Sequence, residues 1–197
     1  QIILEEVPSK NLRLGVGFST NTGLRTQLAY DDKNLLKRGW LWKNNLKLEQ
    51  LEQSWKSEIL LPTRQYGFRD GLSYEIKHEK IAAIGDIYSH AFILRRNWGT
   101  PEIDRTLRLR FLSDTIKSTS VDLPNSSPYA LIAGFVWKKR AVDHVLSPSN
   151  GYVLQVEADA ALKTLGSRTN FARAYSKTQL FYPLGALGFS SVRAEVG

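Results

Sequence analysis

The sequence predicts an all-β protein, an antiparallel transmembrane β-barrel of which about eleven strands are present. Apolar and polar residues alternate along most of the chain, and this two-residue period is typical of strands with one apolar and one polar face. Several of the alternating segments are long enough to cross a bilayer when tilted. Aromatic residues gather near the ends of segments that flank short turns, as they do in the interfacial girdles of membrane barrels.

The composition agrees with a folded domain and excludes several classes of function. The chain has 197 residues, of which 42% are apolar, with 27 Lys and Arg against 19 Asp and Glu. The basic residues are spread thinly instead of forming a patch, so we expect no nucleic-acid partner. The chain has no cysteine for disulfides or thiolate sites, and no apolar run is long enough for a transmembrane helix. Because methionine is also absent, we expect Gln1 to lie downstream of a cleavage site, a tag or a preceding segment.

The first predicted element is a hairpin. Residues of the first strand alternate strictly between an apolar and a polar face. The apolar face comprises Leu12, Leu14, Val16 and Phe18. The other face comprises Arg13, Gly15, Gly17 and Ser19. Asn21, Thr22 and Gly23 then supply a turn, because Asn and Gly tolerate positive φ, and residues 24–30 form the returning strand.

The same alternation continues to the end of the chain and predicts nine further strands, with no convincing helix. They cover residues 40–49, 55–61, 66–77, 86–98, 106–111, 129–138, 152–163, 172–183 and 187–196. The last of these shows a break in phase at Ser190 and Ser191, where we expect a slip in register. Short turns at residues 62–65, 99–102 and 184–186 alternate with longer polar stretches such as 116–128.

The aromatic residues near the short turns form a predicted interfacial belt. This belt comprises Trp40, Trp42, Tyr66, Phe68, Trp98, Phe181 and Tyr182. A soluble β-sandwich also alternates, since one of its faces packs on a core and the other meets water. Such a sandwich would bury its tryptophans in the middle of strands, so the belt favours the membrane barrel.

We expect no enzyme, no catalytic residue, no metal and no cofactor. The three histidines, His78, His90 and His144, are expected on different strands, and no nucleophile elbow, zinc-protease or Walker pattern occurs. Glu157 and Asp159 share a strand face, but with Lys163 nearby a hydrated lumen is the more common context for such a pair than catalysis.

Residues 12–25, which read LRLGVGFSTNTGLR, resemble the opening hairpin of the TamA/BamA-like family of outer-membrane assembly factors, the bacterial surface antigen barrels. The rest of the chain agrees with that family in layout only. The resemblance implies a sixteen-stranded barrel preceded by periplasmic POTRA domains. Residues 1–11 would then end the linker from that periplasmic region, and residues 12–197 would form part of the barrel.

The resemblance also implies a function and a place in the cell. Residues Leu12 to Phe18 would be the strand of a lateral gate in the bacterial outer membrane, through which other polypeptides are inserted or exported, with Gly15 and Gly17 keeping the seam pliable. The implied partners are the lipid bilayer, nascent outer-membrane or secreted polypeptides, and a periplasm-spanning protein of the TamB type. Two alternatives stay open: a passive pore or two-partner-secretion-type transporter barrel, and a soluble β-sandwich binding module.

Overall fold

The chain forms one antiparallel sheet in which eleven strands pair in the order of the sequence, as predicted. The computed structural model describes residues 8–20, 23–64, 67–82, 84–118, 124–185 and 188–197. The strands are β1 (Lys10–Ser19), β2 (Gly23–Leu35), β3 (Trp40–Glu49), β4 (Glu52–Leu60), β5 (Arg69–Ile81), β6 (Gly85–Gly99), β7 (Ile103–Ser118), β8 (Tyr129–Val142), β9 (Gly151–Ala161), β10 (Phe171–Pro183) and β11 (Phe189–Val196). A single 3-10 turn, Lys163–Leu165, follows β9. Within the described residues there is no helix with the length and hydropathy to span a membrane.

The chain divides into two compact units. The first contains β1 to β4, most of β5 and the adjoining parts of β6 and β7, and it comprises Gln1–Pro62, Asp70–Leu94 and Phe111–Tyr129. The second contains the other parts of β6 and β7 and nearly all of β8 to β11, and it comprises Thr63–Arg69, Arg95–Arg110 and Ala130–Gly197.

In the first unit, continuous registers align the predicted apolar faces of neighbouring strands. β1 and β2 pair over ten positions, from Lys10 opposite Asp32 to Ser19 opposite Gly23. One row of directly opposed residues crosses five strands and is wholly apolar. This row comprises Leu14, Leu28, Leu46, Trp55 and Ile76. The period of two in the sequence therefore corresponds to one apolar and one polar face.

The second unit is built in the same way. β10 pairs with β9 from Phe171 opposite Ala161 to Phe181 opposite Gly151. β10 also pairs with β11 without interruption, from Ser176 opposite Val196 to Pro183 opposite Phe189. The slip expected at Ser190 and Ser191 is therefore wrong. Serine on both faces hides the alternation in the sequence, whereas the backbone pairing continues through it.

Few large apolar side chains in the described residues are buried. In the described part of the chain, only three apolar residues are buried, and they are Leu60, Ile132 and Ala161. Trp55, in the middle of β4, is 40% exposed. A soluble sandwich would bury such residues in a close-packed core. The exposed apolar rows are what strands in contact with lipid require.

Several predicted boundaries need correction. β5 begins at Arg69, so Phe68 precedes the strand in the connection from β4, and Leu61 lies outside β4. His144 lies in the loop between β8 and β9 and not on a strand. The alternation of short turns with long loops is only partly correct. The pattern requires every second connection, starting with the one between β1 and β2, to be long. Two of these five connections are long, 119–128 and 162–170, and three are short, 20–22, 50–51 and 82–84.

Candidate functional site

The backbone of β1 presents a hydrogen-bonding edge away from β2. The amide of Lys33 donates to the carbonyl of Ser9 at 2.7 Å, which makes this pair a hydrogen-bonded one. Because such pairs alternate along an antiparallel ladder, the odd residues of β1 bond to β2. The N–H and C=O groups of the even residues point to the opposite edge. These even residues include Leu12, Leu14, Val16 and Phe18.

The side chains of the same four residues are between 65% and 78% exposed. β1 therefore combines an available backbone edge with an uncovered apolar face. Arg13, on the polar face, forms an ion pair with Asp31 of β2 at 2.8 Å. Within the described residues, the pairing of β1 is with β2.

The glycines of β1 are not required by packing. A β-carbon on Gly15 would meet nothing nearer than Gln27 at 3.9 Å, and one on Gly17 would meet Arg25 at 3.6 Å. Neither glycine has a positive φ. By contrast, Gly23 has a φ of 71°, which agrees with the predicted turn. The other predicted turn residues, Asn21 and Thr22, lie outside the described residues.

The polar face of the first unit carries a ladder of ion pairs between neighbouring strands. Lys47 lies 3.2 Å from Glu49 and 3.1 Å from Glu52. Lys77 lies 3.3 Å from Glu52 and 2.8 Å from Glu79. Exposed pairs of this kind contribute little stability, but they keep opposite charges matched along the face. Such a face suits water better than lipid.

The second unit contains a more buried cluster that the sequence did not predict. Arg108 of β7 reaches across β8 and bonds to Asp159 of β9 at 3.1 Å, and to Glu157 at 3.0 Å. Arg110 lies 3.0 Å from Oδ1 of Asp159, a residue that is only 5% exposed. Gly134 of β8 lies directly beneath this bridge, where an added β-carbon would collide with Asp159. Glycine at this position makes room for the bridge.

Five of the predicted aromatic residues lie near strand ends: Trp40, Trp42, Trp98, Phe181 and Tyr182. In the first unit, Trp40 and Trp42 begin β3. The indole N–H of Trp42 donates to the hydroxyl of Ser57 at 2.9 Å, and its ring meets Tyr30 edge-on at 5.8 Å. A half-buried indole with a hydrogen-bond partner beside an exposed apolar row is typical of a membrane interface.

In the second unit, Phe68 and Trp98 pack with ring centroids 6.1 Å apart, and Trp98 also meets Phe135 at 6.2 Å. Phe181 and Tyr182 are adjacent on β10 and therefore point to opposite faces. Tyr182 shares its face with Leu180, whereas Phe181 lies on the polar face, so these two cannot belong to the same belt. Tyr66 lies outside the described residues.

The histidines have local partners. His78 lies 2.8 Å from the carboxylate of Asp86, and His90 lies 2.8 Å from the hydroxyl of Tyr74. Across the ranges that the structure describes, no three His, Asp or Glu residues are placed to hold a metal ion.

The comparisons with known proteins agree with this geometry. The model of the Omp85 superfamily domain matches residues 9–197. The crystal structure of BamA from Haemophilus ducreyi lacking POTRA domains 1–3 is similar in fold, with a TM-score of 0.74 and 13% identity. That match covers 98% of this chain and 42% of the BamA chain, so the chain spans less than half of its structural relative. No curated protein matches the chain. With the family model matching almost all of the chain and the strands following a BamA barrel, the chain belongs to the Omp85 superfamily and is a β-barrel protein of the bacterial outer membrane.

Proposed function

We propose that this chain is the first part of the barrel of a factor that inserts or exports other polypeptides through a lateral seam at β1. The observation that carries the proposal is the edge of β1, where alternate N–H and C=O groups point away from β2. In lipid, backbone groups of this kind must find partners, and a strand of another chain supplies them at a regular spacing.

The side chains support the same role. A guest strand at this edge extends the sheet, and its apolar residues continue the exposed row that begins at Leu14. Its polar residues continue the charged face that includes Arg13 and Asp31. Insertion then needs no covalent step, since pairing alone moves the guest sideways into the bilayer.

A proline at Val16 tests the edge directly. The N–H of Val16 points away from β2, so Val16→Pro removes one edge donor without removing a bond to β2. We expect assembly of an outer-membrane substrate in proteoliposomes to fall about tenfold, because one backbone hydrogen bond is lost where water cannot replace it. Val16→Ala is the matched control, since it loses the side chain and keeps the N–H. Equal activity of the two variants would contradict the proposal.

The glycines supply a second test. Gly15→Val with Gly17→Val should leave the barrel folded, because each glycine has space beside it. The β-branched side chains stiffen the strand, and we expect substrate assembly to fall. If this folded variant assembles substrates at the normal rate, the proposal that Gly15 and Gly17 keep the seam pliable is refuted.

A passive pore or transporter of the two-partner-secretion type is the competing function. A protein of that type would conduct ions in planar bilayers, and Val16→Pro would not change substrate assembly. We also propose that residues 1–9, which precede β1, end a linker from a periplasmic region and that a protein of the TamB type docks there. Co-purification of such a partner with the whole protein, and its loss when this segment is replaced, is the corresponding test.

A further inference from the structure

The loop between β8 and β9 is held in one shape by a single carboxylate. Oδ1 of Asp143 accepts the backbone N–H groups of His144, Ser149 and Asn150 at 2.9, 3.0 and 3.1 Å. Its Oδ2 accepts the hydroxyl of Ser149. These bonds also hold the pKa of the Asp143 carboxyl well below its usual range. These hydrogen bonds therefore hold the loop in one conformation and fix the position of its tip.

That tip is apolar and uncovered. Val145 is 74% exposed, and Leu146, at 99%, has essentially no contact with the rest of the chain. Single exposed apolar residues are common on proteins. Two adjacent ones, presented at the tip of a loop tied at its base, need an apolar partner.

The strands that lead to the loop indicate the partner. The last complete row of the apolar face before it comprises Ala141, Tyr152, Leu180 and Val192. Lys139, near the end of β8, lies on this apolar face, whereas the neighbouring Lys138 and Arg140 lie on the polar face. The ammonium of Lys139 lies 5.7 Å from the ring centre of Tyr152, so it sits beside an aromatic residue on the apolar face. Paired tyrosine and lysine side chains are typical of the headgroup level of a bilayer.

We propose that the loop tip at Val145 and Leu146 enters the headgroup region of a phospholipid bilayer and that Lys139, near the end of β8, favours anionic lipids there. The apolar face already contacts lipid, and the tip continues it beyond the strands. The carboxylate of Asp143 is exposed and negatively charged, but its oxygens already accept four hydrogen bonds from the loop itself. The ammonium of Lys139 is the charged group beside the apolar row, and it favours a phosphate-rich lipid surface over a basic protein.

A fluorescent label at Leu146→Cys tests the proposal, and the absence of native cysteine makes the labelling specific. The protein is reconstituted into phosphatidylcholine vesicles with or without phosphatidylglycerol. We expect a blue-shifted emission and quenching by spin-labelled lipid headgroups, both stronger with phosphatidylglycerol. Lys139→Gln should weaken the phosphatidylglycerol dependence about fivefold, the contribution of one basic residue near an anionic surface. A label at Thr164→Cys, in the exposed connection after β9, controls for attraction of the dye itself.

Two results would overturn the proposal. One is a label at residue 146 that aqueous iodide quenches as freely as it quenches the label at residue 164, in both kinds of vesicle. The other is shielding that develops only when a second protein is added, because the tip would then be a protein-binding site. Since the labelled positions are exposed, neither result can be ascribed to misfolding.

Discussion

Replacing Gly134 with alanine should destabilise the second unit, because a single methyl group has no room there. An ideal β-carbon would collide with Oδ1 of Asp159 and lie 2.8 Å from Nε of Arg108. Both groups are part of the bridge from β7 to β9 that crosses above this glycine. The methyl group must therefore displace the guanidinium from the carboxylate.

The magnitude follows from the contacts that are lost. Nη2 of Arg108 lies 3.1 Å from each carboxylate oxygen of Asp159, whose side chain is 4% exposed. A hydrogen bond to a charged group contributes about 1.5–3 kcal/mol, and orphaning a buried charge costs about 3–5 kcal/mol. Because Asp159 keeps its pair with Arg110 at 3.0 Å, we expect the smaller loss. The free energy of unfolding should fall by about 2–3 kcal/mol.

The assay is urea unfolding in lipid vesicles, followed by tryptophan fluorescence. Gly15→Ala is the matched control, because its β-carbon meets nothing nearer than 3.9 Å and its effect should stay within about 0.5 kcal/mol. In an Asp159→Ala background the penalty at residue 134 should largely disappear, since the two sites are coupled. If the alanines at residues 134 and 15 have equal effects, the reasoning is refuted.

Two further predictions concern loops. Ser167→Ala should speed tryptic cleavage after Arg168, because the Ser167 hydroxyl bonds both the N–H and the C=O of Leu131, at 2.9 and 3.1 Å, and ties the loop to β8. The lowered pKa of Asp143 means that its carboxylate stabilises the loop fully above the ordinary aspartate pKa of about 4, and that this contribution is lost as the pH falls further. Fluorescence anisotropy of a label at Leu146→Cys should fall with acidification in the wild-type background and stay constant with Asp143→Asn.

The strands could be predicted from the sequence because their signal is local. In β1, four apolar residues alternate with Arg13 and two glycines, and no distant contact is needed to identify that pattern. The resemblance of the first hairpin to the TamA/BamA-like family is likewise confirmed, since the Omp85 superfamily domain matches residues 9–197 and the fold is similar to that of BamA. Because the registers are continuous, the apolar residues of neighbouring strands lie opposite one another and form the apolar rows.

The buried polar cluster could not be predicted, because it depends on the register of three strands. Asp159 was expected near Lys163, which instead lies in the 3-10 turn after β9. Its actual partners, Arg108 and Arg110, are about fifty residues away in the chain, and Arg108 reaches it over Gly134. Phe181 was assigned to the belt from its position near a turn, although its odd place on β10 puts it on the polar face.

The alternating edge of β1 has a consequence for any strand that pairs with it. Outward N–H and C=O groups recur only at every second residue. A guest can therefore slide along this edge only in steps of two residues, and each step returns its side chains to the faces they had before. Alternation between apolar and polar residues is preserved through every such shift, whatever the guest's detailed sequence. The edge therefore requires of a guest strand only that apolar and polar residues alternate. Strands of many unrelated sequences can then pair with it so that their apolar side faces lipid.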